Sequence, residues 1–156
     1  MTLEQWLEGV PSEICGDALW KMEAYRLGLF LSDLAWIDAT KLLKDSRTRG
    51  IADQLFRACG NISSNIAEGY SRGTGKDRSR FYEYALGSAR ETRDWYFKGR
   101  KVLSDKVVAH RLDVSTQLIK LLVKMSSNER RENTRIIISK PVVPSSRTNH
   151  QSPTNV

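Results

Sequence analysis

Arg72, Lys76, Arg78 and Arg80 fall within nine residues, with Tyr70 before them and Phe81 and Tyr82 after. Arginine makes charge-assisted bonds to phosphate oxygens, and aromatic rings offer planes on which unpaired bases stack. This spacing suggests polyanion binding, against a plainer reading in which the cations solubilise a turn and Phe81 is core. Arg90, Arg93, Lys98, Arg100 and Lys101 carry positive charge further along the same segment, and Arg57 stands upstream of it. The charge is segregated. Residues 71–101 hold nine basic and four acidic side chains, whereas residues 1–45 hold four basic and eight acidic ones. Such asymmetry suits contact with a polyanion, or between unlike faces of neighbouring subunits.

Catalysis has less to work with. His110 and His150 are the two histidines, and neither stands in a His/carboxylate cluster with metal-ligand spacing. No Glu-x-x-His pair of the kind that builds a di-iron bundle occurs. The run Gly69 to Asp77 resembles a phosphate loop only superficially: it has one residue too many between Gly69 and Gly75, and Asp77 stands where Ser or Thr is needed. Cys15 and Cys59 are too few for a disulfide framework and read as buried thiols. These residues predict a protein that is not an enzyme and needs no cofactor or metal. Ser64, Asn65 and Glu68 make a polar patch whose plainer reading is local hydrogen bonding.

The elements that position these residues read as helices. Thr2-Leu3-Glu4-Gln5 has the form of a capping box, and a short helix through Trp6 and Leu7 should stop at Gly9 and Pro11. A first long helix is expected from an Asp17 N-cap to about Asp45, with Leu19, Met22, Leu29, Phe30 and Ile37 at helical spacing. After the polar break at 46–50, a second helix over 51–70 has Ile51, Leu55, Ala58, Ile62 and Ile66 as its core stripe. Beside it Ala52, Phe56, Cys59, Ser63 and Ala67 form a flatter stripe. That second stripe makes Ala52, Phe56, Ser63 and Ala67 candidates for a subunit interface. Thr74 with Asp77 predicts the start of a third helix whose core is Phe81, Tyr84, Ala85, Ser88, Thr92, Trp95, Gly99 and Val102. Ser104 caps a fourth helix carrying Val108, Leu112, Ser115, Ile119 and Leu122 on one side and Val114, Leu118, Leu121 and Met125 on another. The expected architecture is all-α, an antiparallel up-down-up-down four-helix bundle over 17–132. An extension, 1–16, precedes it, and a disordered basic tail, 133–156, comes after. No apolar run approaches the roughly 20 residues of a membrane helix. Glu4 and Glu8 stand where a secretory signal would be cationic, so the expected location is cytoplasmic.

Two stretches carry a family likeness. Gly50-Ile51-Ala52-Asp53-Gln54-Leu55-Phe56-Arg57-Ala58, followed by Ile62-Ser63-Ser64-Asn65-Ile66-Ala67-Glu68-Gly69, resembles the signature of bacterial four-helix-bundle proteins encoded in intervening sequences of large-subunit ribosomal RNA genes. Leu19-Trp20-Lys21 is similar to that family's first-helix motif. Phe81 and Ala85-Leu86-Gly87-Ser88-Ala89-Arg90-Glu91 are similar to its third-helix motif. The resemblance spans about residues 17–125 and implies a homopentamer without established catalytic activity. Distant relatives of the fold serve as accessory proteins to the reverse transcriptases of diversity-generating retroelements and bind nucleic acid through basic surfaces. Leu86 stands where the family commonly has Arg, and Ala89 where it has Leu, so the third-helix surface is expected to differ.

Together these readings predict a non-enzymatic oligomeric module that contacts structured RNA or other nucleic acid. Expected partners are further copies of itself, RNA or DNA, and a reverse transcriptase or another nucleic-acid enzyme. The alternative is a protein-interaction scaffold with no direct nucleic-acid contact.

Overall fold

A computed structural model describes residues 1–139. Among the described residues every regular element is helical. The Thr2 hydroxyl accepts from the Gln5 amide while the Gln5 side chain accepts from the Thr2 amide, so the capping box forms and starts helix α1, Leu3–Leu7. A second short helix, α2, spans Ser12–Cys15. The N-terminal segment is anchored through Trp6. That buried indole stacks against Phe30 at 5.6 Å between ring centroids, and its N–H donates to Asp33 at 2.6 Å.

The first long helix begins later and ends earlier than the sequence predicts. The Asp17 carboxylate accepts from the Leu19 amide, which caps a 3-10 turn over Ala18–Lys21; the α-helix proper, α3, is Glu23–Leu42. At the other end the Asp45 side chain accepts from the Arg47 amide and starts a second 3-10 turn, Ser46–Thr48. An aspartate offers the backbone a local alternative to the helical bond, and here it breaks the helix at both ends. The Thr48 hydroxyl then donates to the Leu42 carbonyl at 2.6 Å and closes the end of α3.

Helix α4 runs Arg49–Tyr70, and its expected core residues Leu55, Ala58, Ile62 and Ile66 are buried. Helix α5, Gly75–Lys98, starts as predicted, with the Thr74 hydroxyl accepting from the Asp77 amide. A 3-10 turn, Gly99–Lys101, leads to α6, Asp105–Ser139. Each long helix packs against the next. Gly28 on α3 faces Ile62 and Ser63, Gly69 on α4 faces Phe81 and Tyr82, and Ser79 on α5 donates to the Ser126 carbonyl on α6. Helices α3 and α6 also meet, closing the core over Phe30, Leu31, Leu34, Leu55, Ile62, Leu118 and Leu122.

Four expectations are corrected. The buried side of α5 is Ser79, Tyr82, Ala85, Leu86, Ala89, Thr92 and Tyr96, while Tyr84 is 50% exposed and Phe81 half-buried. Tyr82 wins the interior because Gly69 leaves room for its ring: a methyl there would stand 2.8 Å from Tyr82 Cε1. Leu86 and Ala89, expected to alter the surface, are interior residues. The last helix continues past residue 132 to Ser139, so 133–139 are helical; residues 140–156 of the expected tail lie outside the described residues. Cys59 is buried, but Cys15 is only half-buried, with its thiol near the Val10 carbonyl.

Candidate nucleic-acid interface

The predicted cations fall into two groups by what their charges meet. Four have carboxylate partners, three of them at i,i+4 spacing on one helix and the fourth across two helices. Arg57 meets Asp53 at 2.9 Å, Lys98 meets Asp94 at 2.5 Å, Arg72 pairs with Glu68, and Arg78 meets Glu129 of α6 at 3.0 Å. Exposed pairs of this kind contribute only about 0.3–0.5 kcal/mol, so Arg57, Arg72 and Lys98 can exchange a carboxylate for a phosphate at little cost. Arg78 is different. It is half-buried and ties α5 to α6, and its guanidinium also donates to the Arg72 carbonyl at 3.2 Å. It holds the loop's shape.

Among the described residues, Lys76, Arg80, Arg90, Arg93, Arg100 and Lys101 have no carboxylate partner within ion-pair distance. Helical spacing puts Lys76, Arg80, Tyr84 and Lys98 on the side of α5 opposite its buried stripe. Tyr84 on that side is 50% exposed, and Phe97, on the flank towards α6, is 51% exposed. Arg80 lies over the Phe81 and Tyr84 rings at 5.7 and 5.8 Å, Lys98 over Trp95 at 4.2 Å, and Arg100 over Phe97 at 4.0 Å. A cation held on an aromatic face presents a positive edge and a flat apolar plane together, the pair of surfaces that a phosphate–base unit needs. Arg90, Arg93 and Phe97 also line an open groove of about 340 Å³ between α5 and α6 with Asp94 and Leu112.

Sequence reasoning missed Arg130. It stands with Lys76 and Arg80 around a second groove between the start of α5 and the end of α6, where it also meets Glu83 at 3.1 Å. The signal was available: antiparallel α5 and α6 must bring the first turn of one beside the last turns of the other. The polar patch resolves locally. Ser64 donates to the Gly60 carbonyl, Asn65 to the Asn61 carbonyl, and Glu68 holds Arg72.

The proposed interface residues on α4 separate. Ala52 and Ser63 are already covered within the single chain, at 2% and 7% exposure, and Ala67 is half-buried. Phe56 is 43% exposed and meets Trp36 edge-on at 5.6 Å. Together with Leu43 and Ala39 they line an apolar groove of about 310 Å³ between α3 and α4.

The least expected chemistry is inside. Asp38 is fully buried on α3. Its Oδ2 accepts from Arg111 Nε at 2.7 Å and from the Tyr96 hydroxyl at 3.3 Å, while Oδ1 has the Lys41 ammonium at 3.9 Å. Arg111, 9% exposed, also donates through Nη1 to His110 Nδ1 at 2.7 Å. Burial holds the Tyr96 hydroxyl well above its usual range, and burial pushes the Cys59 thiol up to about 12, with the Asp38 carboxylate adding to both. Burial lowers His110, and the Arg111 guanidinium and the chain's amino group lower it further. The Tyr96 hydroxyl, the Cys59 thiol and the His110 ring are thus each held neutral near neutral pH, and Asp38 Oδ2 is occupied by its partners while Oδ1 accepts no hydrogen bond among the described residues. Among the described residues no three His, Cys, Asp or Glu side chains gather as metal ligands, and no helix is long and apolar enough to cross a membrane.

Comparison with known proteins gives a family likeness and a likeness of fold. A family model described as 23S rRNA-intervening sequence protein matches residues 21–124. The fold is similar to that of a protein with unknown function from the S23 ribosomal protein family of Bacteroides thetaiotaomicron. The TM-score is 0.62 and the identity 19%, over 66% of this chain and 97% of that one. At that identity the likeness shows the fold alone. Among curated proteins none matches.

Proposed function

The chain belongs to the family of 23S rRNA-intervening sequence proteins, and from that premise we propose that it is a non-enzymatic binding module. It contacts RNA through the cationic, aromatic side of α5 and the adjoining end of α6. The observation that carries this reading is a set of cations with no carboxylate partner among the described residues: Lys76 and Arg80 on the side of α5 that exposes Tyr84, and Arg90 and Arg93 in the groove that exposes Phe97. Phosphate contacts without a groove-reading motif give binding that is salt-sensitive and weakly specific. Exposed aromatic planes favour unpaired bases, as in the loops and bulges of structured RNA, over duplex DNA. The reading places the protein in the cytoplasm, where such RNA is found.

On the same reading the four long helices form an antiparallel up-down-up-down four-helix bundle that assembles as a homopentamer. The apolar groove around Trp36, Leu43 and Phe56 supports assembly, since 67%, 53% and 43% exposure of three large apolar side chains on one surface is costly in water. The same surface favours the second reading, a protein-interaction scaffold whose acidic N-terminal quarter helps dock a basic partner.

Changing Lys76, Arg80 and Arg90 together to Glu tests the RNA reading. Arg78 is left alone because it ties α5 to α6. Anisotropy with a labelled structured RNA should show about a hundredfold loss of affinity with unchanged helicity. Unaltered affinity in a folded variant overturns the assignment. Light scattering that finds a monomer at micromolar concentration overturns the assembly.

A further inference from the structure

Roughly 35 Å along α6 from Arg130, a separate group of cations surrounds a cavity of about 350 Å³ lined by Met1, Thr2, Lys106, Val107, His110 and Arg111. No carboxylate lines it. Asp105 and Asp113 neighbour it in sequence and are exposed, and Asp38 lies behind Arg111, already bound to Nε. Arg111 cannot accept a hydrogen bond, so His110 Nδ1 is the acceptor of the 2.7 Å contact with Arg111 Nη1. That fixes the neutral ring with its proton on Nε2, as a donor. Arg111 is itself fixed at 9% exposure by Asp38, and His110 is steadied by the Phe30 ring, edge-on at 6.2 Å. Two ordered donors and a lysine thus meet at one cavity, next to the first turn of a long helix whose dipole adds positive potential.

We propose that the Lys106–His110–Arg111 cavity is a site for a dianionic phosphate, either the free ion or the terminal phosphate of a monoester. The chemistry selects phosphate over a simple carboxylate. The charged and ring groups of the site are all donors: the Lys106 ammonium, the His110 Nε2–H and the guanidinium edge of Arg111. A dianion with four oxygens can accept from all three at once. The site shares no residue with the RNA face: Lys76, Arg80 and Arg130 lie towards the other end of α6, and Arg90 and Arg93 line a different groove beside Leu112.

The ring signals of His110 report binding directly, and His110→Gln assigns them apart from those of His150. Full-length protein is titrated with inorganic phosphate, with a nucleoside 5′-monophosphate and with the corresponding nucleoside, against sodium chloride at matched ionic strength. Saturable movement of the His110 signals by inorganic phosphate supports a site for the free ion. Saturation by the monophosphate alone, with the nucleoside silent, supports a monoester site. In either case Lys106→Glu, an exposed change that leaves Arg111 and Asp38 in place, should weaken binding by about tenfold or more. Movement no greater than in chloride, or equal affinity in Lys106→Glu, overturns the proposal.

Discussion

The interior around Asp38 and the outer side of α5 use the same residue types to opposite ends. Inside, an arginine, a carboxylate, a tyrosine and a thiol are closed upon one another, with Arg111 held to Asp38 at 2.7 Å and Asp38 fully buried. Outside, Lys76, Arg80 and Arg90 stand beside open rings with no carboxylate partner among the described residues. A charge paired at depth through Asp38 Oδ2 ties α3, α5 and α6 together; a charge left over at the surface is available to something else. On the reading proposed above, the buried cluster serves the packing of the helices and the ordinary-looking surface carries the binding.

The sharpest way to break that contrast is to open the buried pair. Arg111→Ala leaves an uncompensated carboxylate and should cost about 3–5 kcal/mol in urea unfolding. The double change Arg111→Met with Asp38→Leu should recover most of that loss. If the single change costs no more than a surface substitution, the pair does not organise the core.

Gly69→Ala probes the seam between the two regions, because Gly69 seats Tyr82 beneath the basic loop. Forcing a methyl against that ring should destabilise by about 1–3 kcal/mol. RNA binding should weaken in parallel if the loop depends on its seating.

The interior also predicts an alkaline limit. The Cys59 thiol, ordinarily near 9, is pushed up to about 12 in the fold. The folded chain therefore keeps a proton that the unfolded chain loses above pH 9. Stability from this group is complete below pH 9 and falls as pH rises towards 12, by about 1.4 kcal/mol per pH unit. Cys59→Ala should remove that share of the slope from unfolding curves taken across this window. Raised Tyr96 acts in the same direction at higher pH.

The smallest effect lies outside. A methyl added at Gly60 meets nothing within 4 Å, and Gly60→Ala should stabilise the single chain by about 0.5–1 kcal/mol through helix propensity. Loss of assembly in a variant that is otherwise more stable would put α4 against a second copy.

Much of this was legible beforehand. The Thr2 and Thr74 caps follow from side-chain chemistry at fixed offsets, and the α4 core follows from its apolar period. The α5 register was not legible, because Phe81, Tyr82 and Tyr84 put rings on three sides of one turn and periodicity cannot choose among them. The choice came from Gly69 on the neighbouring helix. Asp38 and Arg111 could have been found. Asp38 stands at helical spacing between Leu34 and Leu42, and Arg111 between Val108 and Ser115. Each is a charge in an apolar stripe, on two helices that an antiparallel arrangement of four makes neighbours. The ends of α3 were misjudged because Asp17 and Asp45 each cap a 3-10 turn instead of the helix.

RNA binding by this chain requires that the surface cations of α5 be free for phosphate, and a salt titration tests that most directly. Affinity of the full chain for a labelled structured RNA is measured at about 50 and 200 mM salt, with four or so phosphate contacts expected to weaken it roughly fiftyfold to a hundred-and-fiftyfold. That result identifies the basic side of α5 as a polyanion site. Affinity that does not change with salt, or no binding at the lower concentration, would contradict it and leave those charges to solubility or to contacts between subunits.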